Sequence, residues 1–110
     1  MKILLVVLTF FCAGLTFAQK VYSVEYENQA DVKVYVVEYE NQADLKVYKV
    51  EYSNLAKDNE GKWFFTEYAN QFDKKIYFVK YETQSDLKIY FVKYSNQSGW
   101  NNLKKIYLMY

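Results

Sequence analysis

The chain has 110 residues, with 14 lysines and 13 acidic residues but no histidine, arginine or proline. A chain of this length forms one small domain. Its near-zero net charge gives no long-range attraction to nucleic acid or to an anionic membrane. The absence of histidine and arginine removes the usual acid–base and anion-clamping side chains.

Residues 1–18 have the pattern of a cleaved signal peptide. Lys2 gives a positive start, an apolar run follows over 3–11, and Thr16 and Ala18 place small residues where a signal peptidase reads them. We predict cleavage after Ala18 and a secreted or periplasmic location. A retained membrane anchor is the alternative, because the apolar stretch approaches the roughly 20 residues that span a bilayer.

The mature chain, residues 19–110, is predicted to be a single domain with no membrane contact. Its cysteine count is zero, because Cys12 lies in the leader, and loss of Lys2 leaves 13 lysines against 13 acidic residues. An exported domain of this size without disulfides depends on packing for its stability.

A unit of thirteen residues recurs along the mature chain. Its clearest copies, 21–33 and 34–46, read Val-Tyr-Ser-Val-Glu-Tyr-Glu-Asn-Gln-Ala-Asp-Val-Lys and Val-Tyr-Val-Val-Glu-Tyr-Glu-Asn-Gln-Ala-Asp-Leu-Lys. The β-branched and aromatic start favours a strand, and the Asn-Gln-Ala-Asp segment suits a turn. We predict an all-β fold of seven short strands wound about a common core. The units begin at Val21, Val34, Val47, Trp63, Ile76, Ile89 and Ile106.

Strand alternation gives each unit two faces. The second, fourth and sixth residues, such as Tyr35, Val37 and Tyr39, share a face that hardly varies between units. We predict that this face is the interior and that the phenol rings converge inward. The third residues vary more and are Ser23, Val36, Lys49, Phe65, Phe78 and Phe91.

A buried tyrosine needs a partner for its hydroxyl group. The recurring amides and aspartates are the expected partners, and recurrence in unit after unit favours a structural role for them over a catalytic one. They are Asn28, Gln29, Asn41, Gln42, Asn70, Gln71, Asn96, Gln97, Asp31, Asp44, Asp73 and Asp86.

The fifth residue of the unit changes sign along the chain. Like charges on neighbouring strands repel, whereas opposite charges contribute about 0.2–1 kcal/mol per pair. We therefore predict that early strands lie beside late strands rather than beside their neighbours in sequence. In chain order the fifth residues are Glu25, Glu38, Glu51, Glu67, Lys80 and Lys93.

Several stretches together resemble the septoil-knot family, a group of bacterial domains of unknown function. They are the unit at 34–46, Gly-Lys-Trp-Phe-Phe at 61–65, the Gly-Trp pair at 99–100 and the closing Leu-Met-Tyr at 108–110. The resemblance covers essentially all of 20–110 and implies a deep seven-crossing knot, although knots are rare among folds.

The knot can be drawn as a chain that winds twice around an axis. This winding implies that each unit lies beside units three or four further on, with Glu25 near Lys80 and Glu51 near Lys93. Two units carry longer connections, and their Gly61 and Gly99 suit turns with positive φ.

No catalytic residue, cofactor or metal site is predicted. A carboxylate pair could serve glycoside hydrolysis, but every candidate pair recurs in several units. The segment Asp58-Asn59-Glu60-Gly61 offers oxygen ligands that Ca²⁺ prefers, yet it lacks the spacing of an EF-hand loop. We interpret it as a turn.

The expected function is that of a stable, monomeric, non-catalytic structural or binding domain, and the sequence names neither its binding residues nor its partner. The alternative is an extracytoplasmic carbohydrate- or cell-wall-binding module that stacks Trp63 and Trp100 on sugar rings. Because tryptophan usually belongs to a core, we predict that both are buried.

Overall fold

The computed structural model of the protein describes residues 19–56 and 59–110. The predicted signal peptide, residues 1–18, lies outside the described residues, as do Lys57 and Asp58. No helix within the described ranges is long and apolar enough to cross a membrane.

The fold is all-β, as predicted, and its strands are short. They are β1 (Lys20–Ser23), β2 (Val32–Val36), β3 (Leu45–Lys49), β4 (Lys62–Phe65), β5 (Lys74–Phe78), β6 (Leu87–Phe91) and β7 (Gly99–Trp100). Short 3₁₀ helices lie between and after the strands, at Glu27–Gln29, Glu40–Gln42, Ser53–Leu55, Glu82–Gln84, Ser95–Gln97 and Leu103–Met109.

Strands β1 to β6 close a parallel barrel. Its order is β1, β5, β2, β6, β3 and β4, and β4 pairs back to β1. Strand β7 lies antiparallel on the start of β3, with Leu45 opposite Trp100. Early strands alternate with late ones around most of the ring, which confirms the prediction made from the change of charge.

The fifth residues interleave as a result. In barrel order they read Glu67, Glu25, Lys80, Glu38, Lys93 and Glu51. Among the described residues, however, none of these six forms an ion pair within 4.0 Å. The reason is that the strands stop at about the third residue of the unit, so the charged side chains lie beyond the hydrogen-bonded ladder.

Most connections between consecutive strands cross over another strand. The chain from β1 to β2 passes β5, and the 3₁₀ helix Glu27–Gln29 packs against that strand. The connections that leave β2, β4, β5 and β6 cross β6, β1, β2 and β3 in turn, whereas β3 and β4 pair directly. Because side chains fill the barrel, we infer that these crossing segments run over its outside.

An aspartate joins four of the crossing segments to the strand beneath. The peptide N–H of Asp31 donates to the Lys75 carbonyl at 2.8 Å, and the Asp31 carboxylate accepts from the Lys75 peptide N–H at 2.9 Å. The carboxylate supplies an acceptor just before β2 begins. The same two bonds join Asp44 to Lys88, Asp73 to Lys20 and Asp86 to Lys33. The prediction that these aspartates serve tyrosine hydroxyl groups is therefore wrong.

The predicted interior face is also wrong. The barrel core is formed by the first residue of each unit and by residues two positions earlier. A barrel of six strands is narrow, and aliphatic side chains fill it. These buried residues are Val21, Val32, Val34, Leu45, Val47, Trp63, Ile76, Leu87 and Ile89.

The tyrosine face lies on the outside of the barrel, partly covered by the crossing segments. Tyr22 is half-buried and stacks on Phe72 of the segment that crosses β1, with ring centroids 6.3 Å apart. Val24 and Val37, on the same face, are buried. The invariance of this face therefore reflects a second packed layer between the strands and the crossing segments.

The carboxyl-terminal segment closes one end of the barrel. Residues from Ile106 form part of a 3₁₀ helix rather than the predicted seventh strand, because β3 and β4 already pair directly where that strand would lie. Met109 is buried in the core, and its carbonyl accepts a hydrogen bond from the Gln19 amide at 3.1 Å. The Asn59 amide donates to the Ile106 carbonyl at 2.9 Å.

Replacing one bridging aspartate tests its role. We expect Asp86→Ala to lower the free energy of unfolding by about 1–2 kcal/mol, because the Lys33 peptide N–H loses a charged acceptor. Glu82→Ala is the matched control: it removes an exposed ion pair with Lys88 and should change the free energy by about 0.5 kcal/mol or less. Urea denaturation measures both, and equal losses would contradict the assignment.

The two positive-φ glycines should differ in their tolerance of alanine. At Gly61, with φ 85°, a Cβ atom would collide with the Lys46 carbonyl oxygen, whereas at Gly99, with φ 147°, it would meet open space. We expect Gly61→Ala to destabilise the fold by about 3 kcal/mol or more and Gly99→Ala by about 1 kcal/mol. Thermal and urea unfolding of both variants would reveal a similar cost if the collision is unimportant.

Candidate ligand-binding surface

The two tryptophans are structural in different degrees. Trp63 is fully buried in the barrel core, as predicted, and so it cannot stack on a sugar ring. Trp100 is half-buried, and its indole N–H donates to the Asn59 carbonyl at 2.8 Å. A carbohydrate site built from both tryptophans is therefore excluded.

The segment considered as a calcium site is engaged in the fold. The Asn59 side-chain oxygen accepts from the Trp100 indole at 3.2 Å, and its nitrogen donates to Ile106. The Glu60 carboxylate lies 3.5 Å from the Lys62 ammonium group. Asp58 lies outside the described residues, and the described ranges contain no cluster of three or more residues able to hold a metal ion.

Six turns that follow the barrel strands each begin with an exposed tyrosine, and we call them the tyrosine-headed turns. In the first, the Gln29 peptide N–H donates to the Tyr26 carbonyl at 3.0 Å. Because the barrel strands are parallel and each turn follows a strand, the six tyrosines surround one end of the barrel. Their exposed fractions span only 57–65%, which indicates equivalent positions. They are Tyr26, Tyr39, Tyr52, Tyr68, Tyr81 and Tyr94.

The amides of these turns are not used by the fold. Those predicted to bind tyrosine hydroxyl groups are exposed, and in the described part of the chain their side chains make no hydrogen bond, so that prediction is wrong. They are therefore free to contact a ligand. These residues are Asn28, Gln29, Asn41, Gln42, Asn70, Gln71, Asn96 and Gln97.

The first tyrosine-headed turn lines a groove of about 460 Å³. Tyr26, Asn28 and Gln29 form one side, and Lys75 also lines it. The charges of three such turns are neutralised nearby. Their glutamates pair with lysines at 3.5–3.8 Å, as Glu27–Lys33, Glu40–Lys46 and Glu82–Lys88.

A second surface lies inside the ring of tyrosines, and we call it the open end of the barrel. It is formed by the variable third residues, Ser23, Val36, Lys49, Phe65, Phe78 and Phe91. The Phe65 ring stacks on that of Phe78 with centroids 6.4 Å apart and contacts that of Phe91 at 6.3 Å. Lys49 Nζ lies 5.2 Å and 4.5 Å from the Phe65 and Phe91 centroids.

Sequence reasoning did not identify the open end, because the third residues were assigned to the outer face. The available signal was their variability, since a position that the repeat does not constrain is free to specialise. Lys49 is the one charged residue among the six.

The comparisons with known proteins place this geometry in a family. The family model of the 7(1) septoil knot domain matches residues 18–101, which include all the barrel strands and tyrosine-headed turns. No curated protein and no solved structure matches the chain. The chain belongs to the septoil knot domain family.

Proposed function

We propose that the protein is an exported, non-catalytic carbohydrate-binding domain that holds a polysaccharide, such as one of the cell wall, on its tyrosine-headed turns. One observation carries this proposal: each turn combines an exposed tyrosine with at least one exposed amide that the fold does not use. Groups that recur without a structural contact point to a repeated task at the surface.

The chemistry of the turns suits a sugar. A tyrosine ring offers an apolar face to the C–H groups of a pyranose, and its hydroxyl can exchange hydrogen bonds with the sugar. Asparagine and glutamine both donate and accept, as sugar hydroxyl groups require. The groove of about 460 Å³ beside Tyr26 is within the size range of small-molecule sites, and the ion pairs at the turns favour an uncharged ligand.

A polymer suits this arrangement better than a single sugar. Each turn alone gives a weak contact, but a chain of sugars can engage several turns around the barrel. Linked contacts raise the overall affinity by orders of magnitude over one contact. We therefore expect binding to increase with the length of the saccharide.

The proposal includes a mature, monomeric domain of residues 19–110 with the seven-crossing knot of its family. The strand order supports the knot, since the pairs β1–β5, β2–β6 and β2–β5 join strands three or four apart in sequence. The crossing segments favour a second candidate function, a purely structural domain selected for resistance to unfolding. That candidate requires no ligand.

Three tyrosines on neighbouring strands test the carbohydrate proposal. Tyr81, Tyr39 and Tyr94 follow β5, β2 and β6, which lie side by side. Their joint replacement by alanine should weaken retention on insoluble cell-wall polysaccharide by about tenfold or more, since a tenfold change is only about 1.4 kcal/mol of lost contact. A pull-down across a series of glycans provides the measurement.

The matched control replaces the same three tyrosines by phenylalanine. It keeps the rings and should retain most of the binding, while the unchanged thermal stability of both variants shows that the barrel is intact. Equal retention of the alanine variant and the parent protein, or no binding to any glycan, would refute the proposal and leave the structural candidate.

Pulling the chain by residues near its two ends tests the knot. A knotted chain stretches to less than its full contour length, because the residues trapped in the tightened knot do not extend. Each trapped residue shortens the extension by about 3.4 Å. In an optical trap, an extension that reaches the length of the whole chain between the handles would show an unknotted chain.

A further inference from the structure

The two ends of the barrel are closed in different ways. At the amino-terminal end the chain itself forms the closure, because Met109 is 1% exposed and binds Gln19 through its carbonyl. At the open end, Val36 and Phe78 remain 42% and 37% exposed. The open end is therefore an apolar surface in contact with solvent, at the carboxyl ends of the parallel strands. This is the end at which (β/α)₈ barrels carry their active sites.

Lys49 brings a positive charge without an anionic partner to this apolar surface. Its ammonium group lies over the Phe65 and Phe91 rings, at 5.2 Å and 4.5 Å from their centroids. Among the described residues, the ion pairs within 4.0 Å all involve other lysines. The aromatic faces attract the ammonium group and hold it above the open end, where it stays available to a ligand.

A second ammonium group follows the neighbouring strand. Lys93 comes directly after the end of β6, the strand that pairs with β3, and it too forms no ion pair among the described residues. Glu38 and Glu51 follow the strands on either side of β6. One anionic group can therefore meet Lys49 and Lys93, whereas a ligand with several anionic groups would also face these carboxylates.

The packed interior sets the position of any ligand. Val34, Val47 and Ile89 are fully buried within the barrel, and so no channel leads below the phenylalanine rings. A ligand must lie across the open end, with its apolar body on Phe78 and Val36. Its charge must then lie toward Lys49.

We propose that the open end binds a small amphiphilic anion, a ligand with an aromatic or alkyl body and a single carboxylate or sulfonate group. The body covers the exposed parts of Phe78 and Val36, and the anionic group pairs with the Lys49 ammonium, assisted by Lys93. This site is separate from the tyrosine-headed turns and does not depend on the carbohydrate proposal. No bond is made or broken in the ligand.

Two probes that share one aromatic body test the site. Anilinonaphthalene sulfonate carries a single anionic group, and phenylnaphthylamine is its neutral counterpart. Fluorescence titration of the folded protein should show the sulfonate binding about tenfold more tightly, a difference of about 1.4 kcal/mol that the ion pair supplies. Equal affinity of the two probes, or no binding of either, would overturn the proposal.

Three variants locate the binding. Lys49→Met should lower the affinity for the sulfonate by about tenfold and leave the neutral probe unchanged, while Lys49→Arg should keep both. Phe78→Ala should weaken both probes. The matched control is Lys75→Met, which removes a lysine placed over the Phe72 ring at 5.7 Å on the outside of the barrel, and it should change neither affinity.

Two further measurements separate binding at the native open end from binding to a loosened chain or competition by a dimer. An unchanged near-ultraviolet circular dichroism spectrum shows that the probe binds the native state rather than a loosened one, which also binds such dyes. Analytical ultracentrifugation tests for a second copy of the chain on the same surface. Sulfonate binding that is insensitive to Lys49→Met, or dimerisation through the open end that excludes the probe, would refute the site.

Discussion

Parallel pairing between strands that are not consecutive is the constraint on which the whole molecule depends. A parallel partner cannot be reached by a tight turn, and joining two parallel strands ordinarily takes a crossover of about a dozen residues or more. Here residues 37–44 suffice between β2 and β3. They suffice because each strand is only four or five residues long, so an extended return path of that length passes the whole strand. Short strands and crossing segments therefore require each other.

The crossing segments give this small domain more buried surface than a barrel alone would have. Beneath them lies the second packed layer, in which half-buried tyrosines and buried valines meet the returning chain. The Ala43 side chain, on one such segment, is only 5% exposed and allows a close approach. The aspartate carboxylates complete the hydrogen-bonding ladder where a strand has not yet begun. A domain without disulfides in its described part thus gains stability from two concentric layers.

Sequence reasoning recovered the parts of the fold that depend on local preference and on charge. Strand-forming runs and the change from Glu51 to Lys80 predicted short strands and non-consecutive pairing, and both are present. Alternation could not decide which face is inside, because both Val34 and Tyr35 are compatible with burial until the width of the barrel is known. The apparent seventh strand at Ile106 failed because its place was taken by the contact between β3 and β4. The cluster of Lys49 with the phenylalanines unites residues from separate strands, which no local pattern indicates.

The hydrogen bond from Gln19 to Met109 joins residues 90 positions apart. During synthesis on the ribosome, the strands from β1 to β6 emerge before the residue that closes the amino-terminal end of the barrel. The ring therefore cannot be completed until residue 109 has left the exit tunnel, and a nascent chain remains unsealed throughout translation. Such a chain can still be threaded through a narrow translocation channel, whereas the finished barrel cannot.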